Sequence, residues 1–350
     1  MISEFCIGRR RIGLGNPVYM IAEMSANHNQ DFEQAVRILH AAKEAGADAV
    51  KLQTYTPDTL TISSDRECFK VKGGTLWDGQ TLYELYQQAC TPWEWHPKLK
   101  QIADDIELDL FSTAFDPSSV DFLEELGMPI HKIASFEIVD LPLIEKAAST
   151  GKPLLLSTGM AVLSEIDEAV RTARNAGASQ IALFKCVSAY PAPPDKMNLR
   201  TIPHLAEAFQ VPTGLSDHTL GFTVPVAAVA LGAAMIEKHF TLSRDSQSPD
   251  AAFSMEPSEF KSMVEAVRIA EQSLGGVQYG IQDIEEKSRV FRRSLFVVKE
   301  IKKGMTFTPE HVRSIRPGGG LHTRYYHEII GRHAACDIEA GTPLSWSLVQ

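Results

Sequence analysis

Short apolar runs alternate with amphipathic stretches along most of this chain. The runs are Val18–Ser25 ("VYMIAEMS"), Asp48–Tyr55 ("DAVKLQTY"), Asp109–Phe115, Pro129–Phe136, Pro153–Met160, Gln180–Ser188, Val211–Asp217 and Ala233–Phe240. Most are almost continuously apolar, as strands buried on both faces of a parallel sheet must be. Between them lie segments such as "DFEQAVRILHAAKEAGA" (Asp31–Ala47), where Ala35, Ile38, Leu39 and Ala42 recur at helical spacing. Asp31 is placed to cap that helix and Gly46 to end it. Eight such strands separated by helices predict an α/β fold, a (β/α)8 TIM barrel ending near residue 275. A doubly wound sheet is the alternative, but no GxGxxG follows the first strand. The loop from Thr56 to about Thr91 is long and contains "GGTLWDGQTLYELY". An insertion there predicts a lid or a specificity loop.

The texture changes after "LGGVQYG" (Leu274–Gly280). Ile281 to Arg289 is polar and reads as a linker. From Arg293 onward come short strands and turns: "RSLFVVKEIKKGMTF", "RSIRPGGGL", "DIEAGTPLSWSLV". The expected organisation is a barrel over residues 1–278, a linker over 279–290 and a small β-rich domain over 291–350. A segment that short has a thin core.

Composition narrows the function. The 350 residues are 44% hydrophobic and 22% charged, ordinary for a globular chain. With 34 Lys and Arg against 44 Asp and Glu, the net charge is −10, which argues against a general nucleic-acid binder. An anionic substrate needs only a local cationic cleft. Five scattered cysteines (Cys6, Cys68, Cys90, Cys186, Cys336) without a CxxC pair point to a reducing, cytoplasmic setting. The longest apolar run, Val224–Ile236, is shorter than the about 18 residues of a membrane span. "RRR" at Arg9–Arg11 is expected to be an exposed turn, since no apolar segment with a cleavage site follows it.

The C-terminal ends of barrel strands carry the active site. Read in order they give Glu23, Lys51 with Gln53, Ser112 with Thr113, Lys132 with Ser135, Ser157 with Thr158, Lys185, Ser216 with His218, and Lys238 with His239. Each alone has a bland explanation, a snorkelling lysine stem or a helix-capping serine. Their convergence on one face does not, because burying many unpaired charges is costly. Lys51, Lys132, Lys185 and Lys238 with Ser135, Ser157 and Ser216 predict an anion cradle suited to a phosphorylated, carboxylated small molecule. His218 and His239 come from adjacent strands. They read either as two ligands of a catalytic metal with open positions, or as an acid/base pair or hydrogen-bonded core imidazoles. Glu23, flanked by apolar residues, is a candidate base whose pKa burial would raise.

Together "IAEMSANHN", "KLQT", "STAFD", "KIAS", "LSTGM", "YPAPP", "GLSDHT" and "EKHF" resemble the sialic acid synthase family, the nonulosonic acid synthases. "VRSIRPGGGL" and "DIEAGTPLSW" resemble its antifreeze-like (SAF) domain. The resemblance spans essentially the whole chain. It implies a barrel plus SAF domain in a domain-swapped homodimer. It implies a metal-dependent transferase (Mn2+, Mg2+ or Co2+) that joins phosphoenolpyruvate to an acetamido sugar, giving a nonulosonic acid and phosphate. By this likeness His218 and His239 hold the metal. Lys51, Thr113, Ser157 and Ser216 hold phosphoenolpyruvate, with Lys132 and Ser135 beside them. Glu23 handles the attacking water. Gln53, Glu137, Tyr190 and Asp250 match sugar positions, and Arg316 matches an arginine that the partner's SAF domain sets over the sugar's N-acyl group.

Two departures bear on the substrate. "SANHNQ" stands where the N-acetylneuraminate branch reads GxNHxG, and Ser188 stands where that branch tends to carry asparagine. Both, with the long loop, resemble the pseudaminic acid synthase branch, whose sugar is 2,4-diacetamido-2,4,6-trideoxy-L-altrose. Trp77, Leu82 and Tyr83 would supply an apolar wall for its methyl group. N-acetylneuraminate or legionaminic acid synthesis is the alternative within the family. Outside it stand a keto-deoxy sugar-acid synthase acting on a phosphorylated aldose, and a non-catalytic sugar- or ice-binding module.

Overall fold

Each predicted apolar run contributes a parallel strand. They are β3 (Tyr19–Glu23), β4 (Ala49–Thr54), β5 (Asp109–Ala114), β6 (His131–Ile133), β7 (Leu154–Ser157), β8 (Ile181–Cys186), β9 (Thr213–Asp217) and β10 (Met235–His239). Neighbours pair in chain order and β10 closes on β3, with Met235 opposite Tyr19 and His239 opposite Glu23. The computed structural model describes residues 4–8, 10–72, 74, 77–246 and 248–350.

Helices cover the outside. These are α1 (Phe32–Glu44), α2 (Pro57–Leu60), α3 (Leu82–Ala89), α4 (His96–Asp105), α5 (Pro117–Glu125), α6 (Leu141–Ala148), α7 (Leu163–Asn175), α8 (Thr201–Phe209), α9 (Thr223–Ala230) and α10 (Pro257–Leu274). The helix α1 forms for the reasons its sequence gives. The Asp31 carboxylate accepts from Glu33 N at 2.9 Å, and Ala35, Ile38, Leu39 and Ala42 are buried. Gly46, at φ +89°, turns the chain into β4.

Strand side chains alternate between two environments. One set, including Met20, Val50, Leu110, Leu156 and Leu183, packs outward against the helices. The other points inward, and near the strands' N-terminal ends it is apolar: Tyr19, Ala49, Phe111, Leu155, Phe184 and Met235. This inner layer is joined by a hairpin of β1 (Phe5–Ile7) and β2 (Arg10–Ile12), through Phe5, Ile7 and Ile12. Arg10 and Arg11 are therefore exposed, as expected, but in a strand rather than a turn. Arg10 is drawn in by an ion pair to Asp48 at 2.6 Å. Arg9 lies outside the described residues, as do Gly73, Thr75 and Leu76 of the long loop.

The chain divides into two compact units, Met1–Gly275 and Gly276–Gln350. In the second, Asp283–Phe291 is an exposed 3-10 helix. Strands β11 (Ser294–Val297) and β12 (Val312–Ile315) pair antiparallel. Isolated bridges such as Ile301–Ile338 wrap the chain around a small core of Leu295, Val297, Phe307, Val312 and Leu344. Among the described residues no helix is long and apolar enough to cross a membrane.

Candidate active site

Alternation decides which strand-end residues meet. On β10, Met235 joins the apolar inner layer, so Glu237 and His239 also point inward and Lys238 points out. On β8, Phe184 and Cys186 point inward and Lys185 points out. The expected anion cradle is thus corrected. Lys238 is buried behind the barrel wall, paired with Asp217 Oδ2 at 2.5 Å and donating to Thr219 O. Lys185 donates to Cys186 O at 3.2 Å. The same parity removes Ser112, which bonds Thr54, and Thr158, which donates to Phe184 O.

What remains at the mouth is a cleft with two ammonium groups, two carboxylates and a set of hydroxyls. Lys51 Nζ sits 2.8 Å from Glu23 Oε2, 2.9 Å from Thr113 Oγ1 and 3.7 Å from Glu237 Oε1. Lys132 donates to Ser157 Oγ, and its ammonium lies 5.1 Å from the Phe184 ring centroid. Ser216 donates to Glu237 Oε1 at 3.0 Å. Ser135 Oγ accepts from Gly159 N at 3.1 Å. A side chain at Gly159 would collide with Ser188 Oγ and stand 2.7 Å from Ser135 Oγ, so both hydroxyls would have to shift to admit one. Glu237, within "EKHF", is a cleft residue with no role among the expected site residues. The signal was available: two residues before an inward histidine, a strand residue points inward.

Burial splits the two carboxyls. Glu23 is pushed up to about 7 by burial and the neighbouring Glu237, against the pull of Lys51 and Gln53. Burial opposes charge on Glu237 as well, but Lys51, Lys132 and the Ser216 hydroxyl outweigh it and hold its pKa down. Lys51 keeps its proton because the two carboxylates outweigh burial. Lys132 has its pKa lowered by burial, only partly offset by Glu237. Environments that push like groups apart assign different protonation roles to them.

His218 and His239 face each other with ring centroids 5.4 Å apart. The His218 Nδ1 is 2.9 Å from Val187 O. Burial disfavours charge on His218, but Cys186 and the Val187 carbonyl outweigh it and raise its pKa. His239 is held well below its usual 6.5 by burial and by His218, so its imidazole is neutral. Its Nδ1 is buried without a hydrogen-bond partner, 3.7 Å from Asp250 Oδ2. Among the described residues no group of three or more His, Cys, Asp or Glu is placed to hold a metal ion.

Outside this cleft lies a cavity of about 430 Å³. Gln53, Tyr190 and His239 line both spaces. Gln53 Nε2 donates to Glu23 Oε1 at 3.0 Å and to Ser25 Oγ at 2.8 Å, and Ser25 donates to Asp250. The Tyr190 ring lies 4.3 Å from His218 and 5.9 Å from Trp77. Glu137 lines the outer cavity with Oε2 unpaired, its pKa raised to about 7 by burial. Of the expected apolar wall, Trp77 and Leu82 are present. Tyr83 instead turns its hydroxyl to Asp58 at 3.2 Å on the exposed side of α3. Arg316 is an exposed residue of the second unit, just past β12.

Fold and cleft define a class: a (β/α)8-barrel enzyme with ionisable groups gathered at the strands' C-terminal rim, followed by a small β-rich unit. The chain belongs to the NeuB family, whose model matches residues 38–279, and residues 292–350 match the SAF domain. It is 49% identical to the pseudaminic acid synthase of Helicobacter pylori over 94% of this chain and 97% of that protein. It is 37% identical to the N,N'-diacetyllegionaminic acid synthase of Legionella pneumophila, over 95% of this chain and 94% of that protein. Among solved structures it resembles the N-acetylneuraminic acid synthetase of Leptospira borgpetersenii (TM-score 0.74, 33% identity, 82% of this chain and 95% of that one).

Proposed function

We propose that this chain condenses phosphoenolpyruvate with 2,4-diacetamido-2,4,6-trideoxy-L-altrose and water, giving pseudaminic acid and phosphate. The observation that carries the reading is the Glu23–Lys51–Glu237 cluster facing two imidazoles inside one cleft. The choice of sugar is supported by 49% identity to a pseudaminic acid synthase against 37% to a legionaminic one.

In this reading Lys51, Lys132, Thr113, Ser135, Ser157 and Ser216 hold the phosphate and carboxylate of phosphoenolpyruvate. His218 and His239 hold a divalent ion, Mn2+, Mg2+ or Co2+. Two facing imidazoles, one neutral and with an unpaired buried nitrogen, fit such an ion and would hold it. When bound, the ion supplies Lewis acidity at the sugar's aldehyde oxygen. Gln53, Glu137, Tyr190 and Asp250 orient the sugar so that its aldehyde carbon meets C3 of phosphoenolpyruvate. A carbon–carbon bond forms there, and C2 becomes electron-poor. Glu23, ionised, takes a proton from the water that adds to C2. The proton held by Glu23 neutralises the new sugar alkoxide, and the C2–O bond to phosphate then breaks as the C2 hydroxyl becomes a ketone, its proton leaving with phosphate. The two lysines and the hydroxyls stabilise the charge that moves onto phosphate.

The protein acts in the cytoplasm as a homodimer exchanging its SAF domains over 291–350, with 279–290 as connector and Arg316 completing the partner subunit's sugar site. Mixed dimers of an Arg316→Ala chain with a His239→Ala chain test the exchange, because one of their two sites stays intact and keeps about half the activity. The central test is the mass of the product formed from phosphoenolpyruvate, Mn2+ and a panel of acetamido sugars. A nonulosonate made from the L-altro diacetamido sugar supports the proposal, and preference for N-acetylmannosamine rejects it.

A further inference from the structure

The helix α3 has an apolar face that no protein core covers. Leu82, Leu85, Tyr86 and Ala89 stand at i, i+3, i+4 and i+7, the spacing of a single stripe. In the other helices such stripes are buried against the barrel, yet α3 has no buried residue. All four line the 430 Å³ cavity instead, together with Leu60 and Val71. The helix is well specified: Thr81 and Glu84 form a capping box, with Thr81 N donating to Glu84 Oε2 at 2.9 Å. Its last turn is tied down by Gln30, which donates to Gln88 O and Cys90 O at 3.0 and 2.7 Å. An apolar stripe held in place over a cavity favours an apolar occupant, since leaving it against water forgoes its burial.

The cavity's inner end fixes which occupant. Gln53, Phe115, Ala134, Phe136, Tyr190 and His239 belong both to it and to the ionisable cleft. The α3 stripe lines the outer cavity alone, where Ser25, Glu137 and Asp250 supply polar partners. A sugar whose aldehyde carbon sits at the imidazoles therefore extends toward α3. We propose that the apolar stripe of α3 is the specificity element that reads the sugar's far end, selecting a terminal methyl over a hydroxymethyl and acyl methyls over free hydroxyls. This rests on the synthase reading above and adds to it the residues that choose among acetamido sugars. The selection has a natural ceiling, because an apolar pocket rejects a ligand that merely gains a hydroxyl by only about 10²-fold.

The test measures phosphate release from phosphoenolpyruvate with Mn2+ by the full-length chain, using the diacetamido trideoxy sugar and N-acetylmannosamine in parallel. Wild type is expected to favour the first by up to about 10² in kcat/KM. Leu85→Asn and Leu82→Asn each narrow that ratio at least tenfold through the sugar KM, with the phosphoenolpyruvate KM unchanged. Leu85→Met keeps the ratio, as does Gln87→Ser on the exposed opposite face. An unchanged ratio in both asparagine variants, with folding confirmed by circular dichroism, overturns the proposal while leaving the synthase reading standing. Loss of dimer mass in light scattering with the ratio intact overturns it too, because another chain then covers the stripe. No phosphate release by wild type with either sugar removes the synthase reading and this inference with it.

Discussion

Glu23 and Lys51 are register partners on adjacent strands, and their charged ends meet at 2.8 Å inside the barrel mouth. Glu237 approaches the same ammonium from β10 at 3.7 Å. One lysine thus serves two buried carboxyls, and only one of them keeps a low pKa.

That arrangement predicts opposing pH dependences. Burial raises Glu23 from its ordinary 4.5 to about 7, so the folded chain holds this proton more tightly than the unfolded chain. The stability it lends is complete below pH 4.5 and lost as pH climbs through about 7. The base is the ionised form, so kcat/KM should rise with pH and level off above about 7. Ionisation also adds a negative charge beside the phosphoenolpyruvate site, so its KM should rise over the same interval. Glu23→Gln should lower kcat by about 10²–10⁴ and remove both inflections in steady-state pH profiles. An inflection near 7 that survives in the glutamine variant would assign it to another group.

The imidazole pair predicts a binding signal independent of turnover. A ligand that binds only the folded state stabilises it by about 2.7 kcal/mol at a hundred times its Kd. Mn2+ should therefore raise the melting temperature of wild type, and a chelator should reverse it. His239→Ala should abolish the shift, while its apo melting temperature falls because the imidazole packs against Tyr190 and Phe253. An undiminished Mn2+ shift in both His239→Ala and His218→Ala would place the ion elsewhere.

Lys132 and Lys238 separate a binding lysine from a structural one. Lys132 points into the cleft beside Ser157. Lys132→Ala should raise the phosphoenolpyruvate KM tenfold or more. Lys238 and Asp217 form a pair exposed by only 1% and 0%. Lys238→Met strands that carboxylate and should cost about 3–5 kcal/mol in urea unfolding, with the phosphoenolpyruvate KM of the folded fraction unchanged.

That pair marks the limit of what could be read in the chain itself. Apolar runs and helix caps state the barrel plainly, because burial on both faces leaves a strand little compositional freedom. The inward residues Glu23, Lys51, Lys132, His218 and His239 were legible as strand-end polar groups. Parity becomes legible only once His239 is taken as inward, because "IEKHF" offers charge at three consecutive positions and only one register in space. Glu237 and Lys238 exchange roles on a shift of one residue. The exposed stripe of α3 was hidden for a related reason: helical spacing states that a face is apolar but not what lies against it.

Asn27 shows how a residue outside the chemistry should still govern it. Its side chain is fully buried between two loops of the rim. Its Nδ2 donates to Phe240 O and Ser254 Oγ at 2.9 Å each, and its Oδ1 accepts from Ser248 Oγ at 2.6 Å. Those partners flank Asp250, which accepts from Ser25 and lies 3.7 Å from His239. Asn27→Ala leaves a buried carbonyl and two hydroxyls short of a partner, at about 1–3 kcal/mol for each group left unpaired. The loop carrying Asp250 should relax to recover them. The sugar KM should then rise about tenfold or more while the phosphoenolpyruvate KM stays within about twofold, since Lys51 and Lys132 are anchored to other strands. A general loosening would raise both together, and that result would reduce Asn27 to a folding residue.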